Sequence, residues 1–114
     1  MSRVKELDIS VLLDLYGALL TEKQQNILSL YYNEDYSLSE IAENESISRQ
    51  AVMDLLKRSE AKLLEWDSKL RLLERFRRTE SALKRIEQAS AALPESTRTE
   101  ITAAANEIRA VWED

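Results

Sequence analysis

The sequence contains no cysteine and no histidine, and only one glycine and one proline among 114 residues. Each scarcity removes chemistry. Without histidine or cysteine the usual zinc ligands, a Cys-His nucleophile and a general base poised near neutral pH are all missing. No cysteine also means no disulfide framework, so the cytoplasm is the expected compartment. The lone Gly17 precludes a Walker phosphate loop or a Gly-rich dinucleotide turn, each of which needs several glycines. So little glycine and proline leaves almost no turn chemistry for hairpins, and an all-α fold is expected. No apolar run approaches the roughly 20 residues that span a bilayer. The opening "MSRVKELDIS" has no apolar stretch followed by a small-residue cleavage site, so neither a secretory signal nor membrane insertion is expected. One catalytic-looking fragment occurs, "SEAK" from Ser59 to Lys62, which matches S-x-x-K. Two fixed positions in four arise by chance, and no companion motif accompanies them. The chain reads as a non-enzyme with no catalytic residue, no metal site and no cofactor.

What remains is helix-forming material. Apolar residues make up 44% and charged residues 32%, as in an ordinary globular domain. Three- and four-residue spacings place Leu7, Val11, Leu12, Leu15, Ala18 and Leu19 on one stripe of a first helix, about Val4 to Leu20. Gly17 inside it suggests a close helix crossing. Thr21 with Gln24 forms a capping box, so a second helix starts at Glu22, turns Ile27, Leu28, Leu30 and Tyr31 inward, and ends at "NED". Ser37 with Glu40 repeats the device ahead of a short helix, "LSEIAEN". After the break "NESI", Ser48 caps a fourth helix that begins at Arg49.

Two short helices joined by a tight turn describe a helix-turn-helix, the alternative being a generic helical bundle. Leu38, Ile41, Ala42, Ile47, Val52 and Leu55 would form its core, while Arg49, Gln50, Met53 and Lys57 point away. Beyond Arg58 no helix breaker appears until Pro94. Leu63, Trp66, Leu70 and Leu73 keep a heptad spacing that drifts to Phe76, Leu83 and Ile86. The helix either runs on or breaks near Trp66–Ser68, with Asp67 or Ser68 capping the restart. Pro94 and a capping box at Thr97 and Glu100 open a final helix with Ile101, Ala104, Ala105, Ile108, Val111 and Trp112 on one stripe. The organisation expected is a helix-turn-helix domain over residues 1–66 and a helical extension over 67–114. That extension either packs back on the first part within one compact domain or buries its surplus apolar surface in a homodimer.

The run from Leu20 to Leu63 resembles the fourth region of sigma factors, the helix-turn-helix that contacts promoter DNA. More specifically, "LYGALLTEKQ", "LYYNEDYSLSEIAE" and "ISRQAV" resemble the YlxM family of small bacterial proteins over about the first 75 residues. The resemblance implies an all-α helix-turn-helix followed by a long helix and a C-terminal helix. It also implies a cytoplasmic regulatory protein, associated with the signal recognition particle pathway, whose nucleic-acid binding follows from the fold. Carried over by position, it puts Ser48 at the cap and Arg49, Gln50, Met53 and Lys57, with Arg58 beyond, on the nucleic-acid side. Two residues depart from the pattern. Ser46 stands where a turn glycine is usual, which predicts a strained or reshaped turn. Asp54 replaces a polar or basic contact residue.

Charge bears on the partner. The chain is −5 overall, but residues 1–36 hold 3 basic and 6 acidic side chains, residues 37–78 hold 9 and 8, and residues 79–114 hold 4 and 7. Positive charge is therefore central: Arg49, Lys57, Arg58, Lys62, Lys69, Arg71 and the run "RFRR", Arg75 to Arg78. That run either contacts phosphates or pairs with Glu74 and Glu80 on a solvated helix face. In a major groove Arg49 suits guanine and Gln50 adenine, whereas Asp54 either accepts from cytosine or pairs with Arg58. Three roles fit: an accessory factor of protein targeting that binds the particle's structured RNA or its GTPase subunit, a transcriptional regulator that binds duplex DNA, or a protein-interaction module working through its C-terminal helices.

Overall fold

The computed structural model describes residues 3–113, with side chains from Asp8 onward. Every regular element among them is helical: α1 (Arg3–Tyr16), α2 (Glu22–Tyr32), α3 (Leu38–Glu45), α4 (Arg49–Leu70), α5 (Leu72–Ala89) and α6 (Glu95–Val111). Short 3-10 turns follow α1 (Gly17–Leu19) and α5 (Ser90–Ala92). The chain divides into two compact units, the first ending at Arg71 and the second beginning at Leu72.

The first unit closes around α4. Its core joins Ile9, Leu12, Leu13 and Tyr16 of α1, Ile27, Leu28 and Leu30 of α2, Ile41 and Ala42 of α3, and Val52, Leu56 and Leu63 of α4. Fully burying a leucine or isoleucine is worth about 1.5–3 kcal/mol, so this cluster supplies most of the driving force. The face α1 buries differs from the expected stripe. Val11 and Leu15 are only half-buried, and Ala18 and Leu19 are exposed; Leu7 lies outside the described side chains. The reason is local: the α-helix stops at Tyr16 and tightens into the 3-10 turn, which rotates Ala18 and Leu19 outward. Gly17 marks no helix crossing either. A Cβ there would meet only Leu13 of its own helix, 3.3 Å from Cδ1.

Of the two alternatives at Trp66–Ser68, α4 takes the continuous one and runs on to Leu70. Tyr16 Oη donates to Asp67 Oδ1 at 2.8 Å, and the Tyr16 and Trp66 rings lie 6.5 Å apart, which fixes this turn of α4 against α1. Ser68 Oγ donates back to the Glu65 carbonyl at 2.6 Å, so it belongs to the helix and caps nothing. The helix ends at Arg71, which takes the left-handed conformation (φ 57°) and donates its N–H to the Asp67 carbonyl at 2.8 Å. Leu70, expected in the apolar stripe, sits in this last turn and is exposed.

The second unit is an antiparallel pair, α5 and α6. Leu73, Leu83 and Ala105 are buried there, and Phe76 meets Trp112 edge-to-face with centroids 5.5 Å apart. Arg109 forks across the pair: Nε donates to both Glu80 oxygens (3.1 and 3.0 Å), and Nη1 and Nη2 donate to Glu87 (3.0 and 2.7 Å). Arg109 thus takes Glu80, which the sequence pattern offered to the RFRR run, and holds the Glu87 carboxyl below its usual range. Helix α6 starts at Glu95 behind Pro94, whose φ of −55° already suits a helix entry. Thr97 is therefore inside the helix, and the Thr97–Glu100 capping box does not form. Ile86, Ile108 and Val111 are exposed, contrary to the stripes assigned to them.

Candidate nucleic-acid interface

The helix-turn-helix consists of α3, a three-residue turn and α4. Capping sets where each helix begins. Glu40 N–H donates to Ser37 Oγ at 3.1 Å while Ser37 N–H donates to Glu40 Oε1 at 3.0 Å; the bonds from Ser37 hold the Glu40 carboxyl below its ordinary pKa. The same reciprocal pair joins Thr21 and Gln24 ahead of α2. Ser48 Oγ accepts from Ala51 N–H at 3.0 Å and opens α4. Between the two helices Ser46 adopts φ 56°, ψ 43°, the left-handed conformation that glycine takes without penalty. Ile47 N–H then reaches the Ala42 carbonyl at 3.0 Å, which satisfies the end of α3 and folds the chain into the turn. Of the two outcomes expected from a serine at this position, strain or a reshaped turn, the left-handed backbone of Ser46 shows strain.

Along α4 the two faces are well separated. Val52, Leu56, Ser59 and Leu63 are buried, at helical spacings of three and four. Leu56, not the expected Leu55, makes the deep contact; Leu55 is half-buried beside it. Burial disposes of the S-x-x-K match as well. Ser59 Oγ donates to the Leu55 carbonyl at 2.7 Å inside the core, where it can meet no substrate. Tyr32 Oη donates to Glu60 Oε1 at 2.8 Å and ties α2 to the flank of α4, a contact that carries no sequence signal.

Ser48, Arg49, Gln50, Lys57 and Arg58 are exposed, so five of the six positions implied by the resemblance reach solvent. Gln50, Lys57 and Arg58 point away from the buried seam, whereas Arg49, seven residues before Leu56, lies in line with it at the helix's first turn. Met53 is half-buried on the shoulder of the outward face. Asp54 is not paired with Arg58. Its Oδ1 accepts from Gln50 Nε2 at 3.1 Å, one helical turn back. One amide hydrogen of Gln50 is thereby held while the other, and Oε1, stay available. A donor and an acceptor side by side are what an adenine edge requires. The signal for this pair lay in the sequence as a Gln-to-Asp spacing of four.

Helices in this order, with a capped second helix presenting polar and basic side chains outward, define a helix-turn-helix protein. The family relationship agrees. Residues 3–103 match the model of a family described as "Putative helix-turn-helix protein, YlxM / p13 like" (UPF0122), and the chain belongs to that family. A UPF0122 protein of Clostridium kluyveri is 54% identical over 78 residues, covering 68% of this chain and 70% of its own length. Another, from Shouchella clausii, is 49% identical over 87 residues, covering 76% and 80%. A third, from Halalkalibacterium halodurans, is 48% identical over 85 residues, covering 75% and 78%.

Proposed function

We propose that this protein is a non-enzymatic regulatory factor that binds nucleic acid through the outward face of α4. The observation that carries the reading is the exposed set Gln50, Lys57 and Arg58, turned away from a continuous buried seam, with Gln50 oriented by Asp54 and Arg49 exposed at the helix's first turn. Arg49 and Gln50 occupy the first turn, where a recognition helix meets base edges; Lys57 and Arg58, two turns on, meet phosphates.

The nucleic acid proposed is the structured RNA of the signal recognition particle, with the particle's GTPase subunit as a further partner in the cytoplasm. Resemblance to YlxM proteins supports this. So does the modest cationic footprint: a net charge of −5 suits a factor positioned within an assembly better than a free repressor searching a chromosome. No helix among the described residues is long and apolar enough to cross a membrane. The second reading, a transcriptional regulator, is favoured by the adenine-suited geometry of Gln50.

The test is a fluorescence-anisotropy titration against mixed-sequence duplex DNA and the particle's RNA at two salt concentrations, with Arg49→Ala/Lys57→Ala alongside. Salt-sensitive preference for the RNA, lost in the double variant, is the expected result. Preference for the duplex transfers the role to transcription, and binding that survives both substitutions removes α4 as the reading helix.

A further inference from the structure

The second unit leaves apolar side chains uncovered in an ordered pattern. On α5 and the turn after it, Ala82, Ile86, Ala89 and Leu93 follow one another at spacings of four, three and four; on α6, Ala104, Ile108 and Val111 follow at four and three. Ile86 is 51% exposed, Leu93 43%, Ile108 44% and Val111 73%, and the three alanines are exposed as well. Alternating steps of three and four are the signature of a helix seam that packs on another helix. This seam is not the one joining α5 to α6, which uses Leu73, Leu83, Ala105 and the Arg109 fork. At about 100° per residue, each uncovered row lies roughly a quarter turn from its helix's contact line. Because the helices run antiparallel, both offsets fall on the same side. The two rows form one face.

The borders of that face carry opposite charge. Arg78 and Arg85 flank the α5 row, with Arg75 in line ahead of it, and Glu107 flanks the α6 row, with Glu100 in line ahead of it, all exposed. A surface basic along one edge and acidic along the other complements itself after a half-turn about an axis parallel to the helices. The alanines let partner helices approach closely, and the isoleucines and valine supply the apolar area. The second unit's own core of Leu73, Leu83 and Ala105 is small for a two-helix unit, which gives the pairing a strong drive.

We propose that this face is a homodimer interface, in which two copies of the chain form a four-helix bundle with each α5 lying over the partner's α6. The absence of cysteine makes the arrangement directly testable in the full chain. Sedimentation equilibrium of the native chain should give twice its 13.2 kDa mass, with association weakened by salt. Ile86→Asp/Ile108→Asp should weaken association by at least about tenfold, helicity being followed by circular dichroism. Ile86→Cys and Ile108→Cys chains carrying different tags, when mixed and mildly oxidised, should form the mixed disulfide pair more readily than either like pair. A native chain monomeric at all concentrations overturns the proposal. So does a dimer indifferent to the aspartates, or cross-linking confined to like pairs.

Discussion

Ser46 and Asp54 are the two positions where this chain departs from a helix-turn-helix pattern, and they act on different quantities. Ser46 holds a left-handed backbone conformation that disfavours any residue with a Cβ. Ser46→Gly should therefore stabilise the first unit by about 1 kcal/mol, a rise of about 4–8 °C in its melting temperature, with binding unchanged. Thermal unfolding followed by circular dichroism checks it; a fall in Tm would mean that the serine hydroxyl contributes more than the strain removes. Asp54 repels phosphates yet fixes Gln50. Asp54→Ala should lose only about 0.2–0.5 kcal/mol of helix stability. Its effect on binding should run two ways, with tighter binding to arbitrary duplexes and poorer discrimination between them. Anisotropy titrations on duplexes differing at one A·T pair separate the two, and unaltered discrimination would show that Gln50 needs no partner.

At the scale of elements, legibility followed the range of the interaction. The capping residues Thr21, Ser37 and Ser48 act on N–H groups three residues away, so their signal is contained in the sequence around them. The exposure of Gln50, Lys57 and Arg58 on α4 was legible for the same reason, since one buried face dictates the other. What escaped depends on distant parts of the chain or on competing signals. Helix α1 has apolar residues on more than one face, and only contact with α2 and α4 selects Ile9, Leu12, Leu13 and Tyr16. Whether α4 continued past Trp66 stayed open in the sequence, because the contact that holds this turn comes from Tyr16, 51 residues away from Asp67. Tyr16→Phe should accordingly cost about 1–2 kcal/mol and loosen the end of α4 first, which hydrogen exchange on residues 64–70 would detect. Thr97 and Glu100 imitate a cap, but Pro94 starts the helix first.

The Arg109 fork gives the α5–α6 pair a dependence on pH. Glu87 is held below its ordinary value chiefly by the hydrogen bonds from Arg109, so its contribution to folding is complete above the normal carboxylate range. The contribution fades as pH falls through the lowered value and the carboxyl protonates. With Trp66→Phe, Trp112 becomes the only tryptophan and reports on this pair through its contact with Phe76. Its fluorescence should show an acid transition below the ordinary carboxylate range that shrinks in Glu87→Gln, while stability at neutral pH falls in the same variant. A transition identical in both proteins would assign the acid sensitivity to another group.

For the whole molecule, the distribution of charge and the existence of two units combine into one expectation. Five cations on α4 are exposed; Lys69 pairs with Glu65 at 3.7 Å, which leaves Arg49, Lys57, Arg58 and Lys62 for phosphates, while residues 1–36 and residues 79–114 each carry −3. A single copy using those four cations should show a log–log salt slope of about −3 to −4 on duplex DNA. The acidic ends oppose further non-specific contact, so they limit affinity without altering which residues touch phosphate. The core around Leu12, Tyr16, Ile27, Leu28, Ile41, Val52 and Leu63 lies entirely before residue 72, so a fragment of residues 1–71 is expected to fold and keep the single-copy slope. A full-length dimer placing both α4 helices on one duplex would roughly double the slope and gain affinity through effective concentration. Equal slopes for the fragment and the full chain would mean that one copy binds at a time, and that pairing through α5 and α6 serves assembly and not recognition.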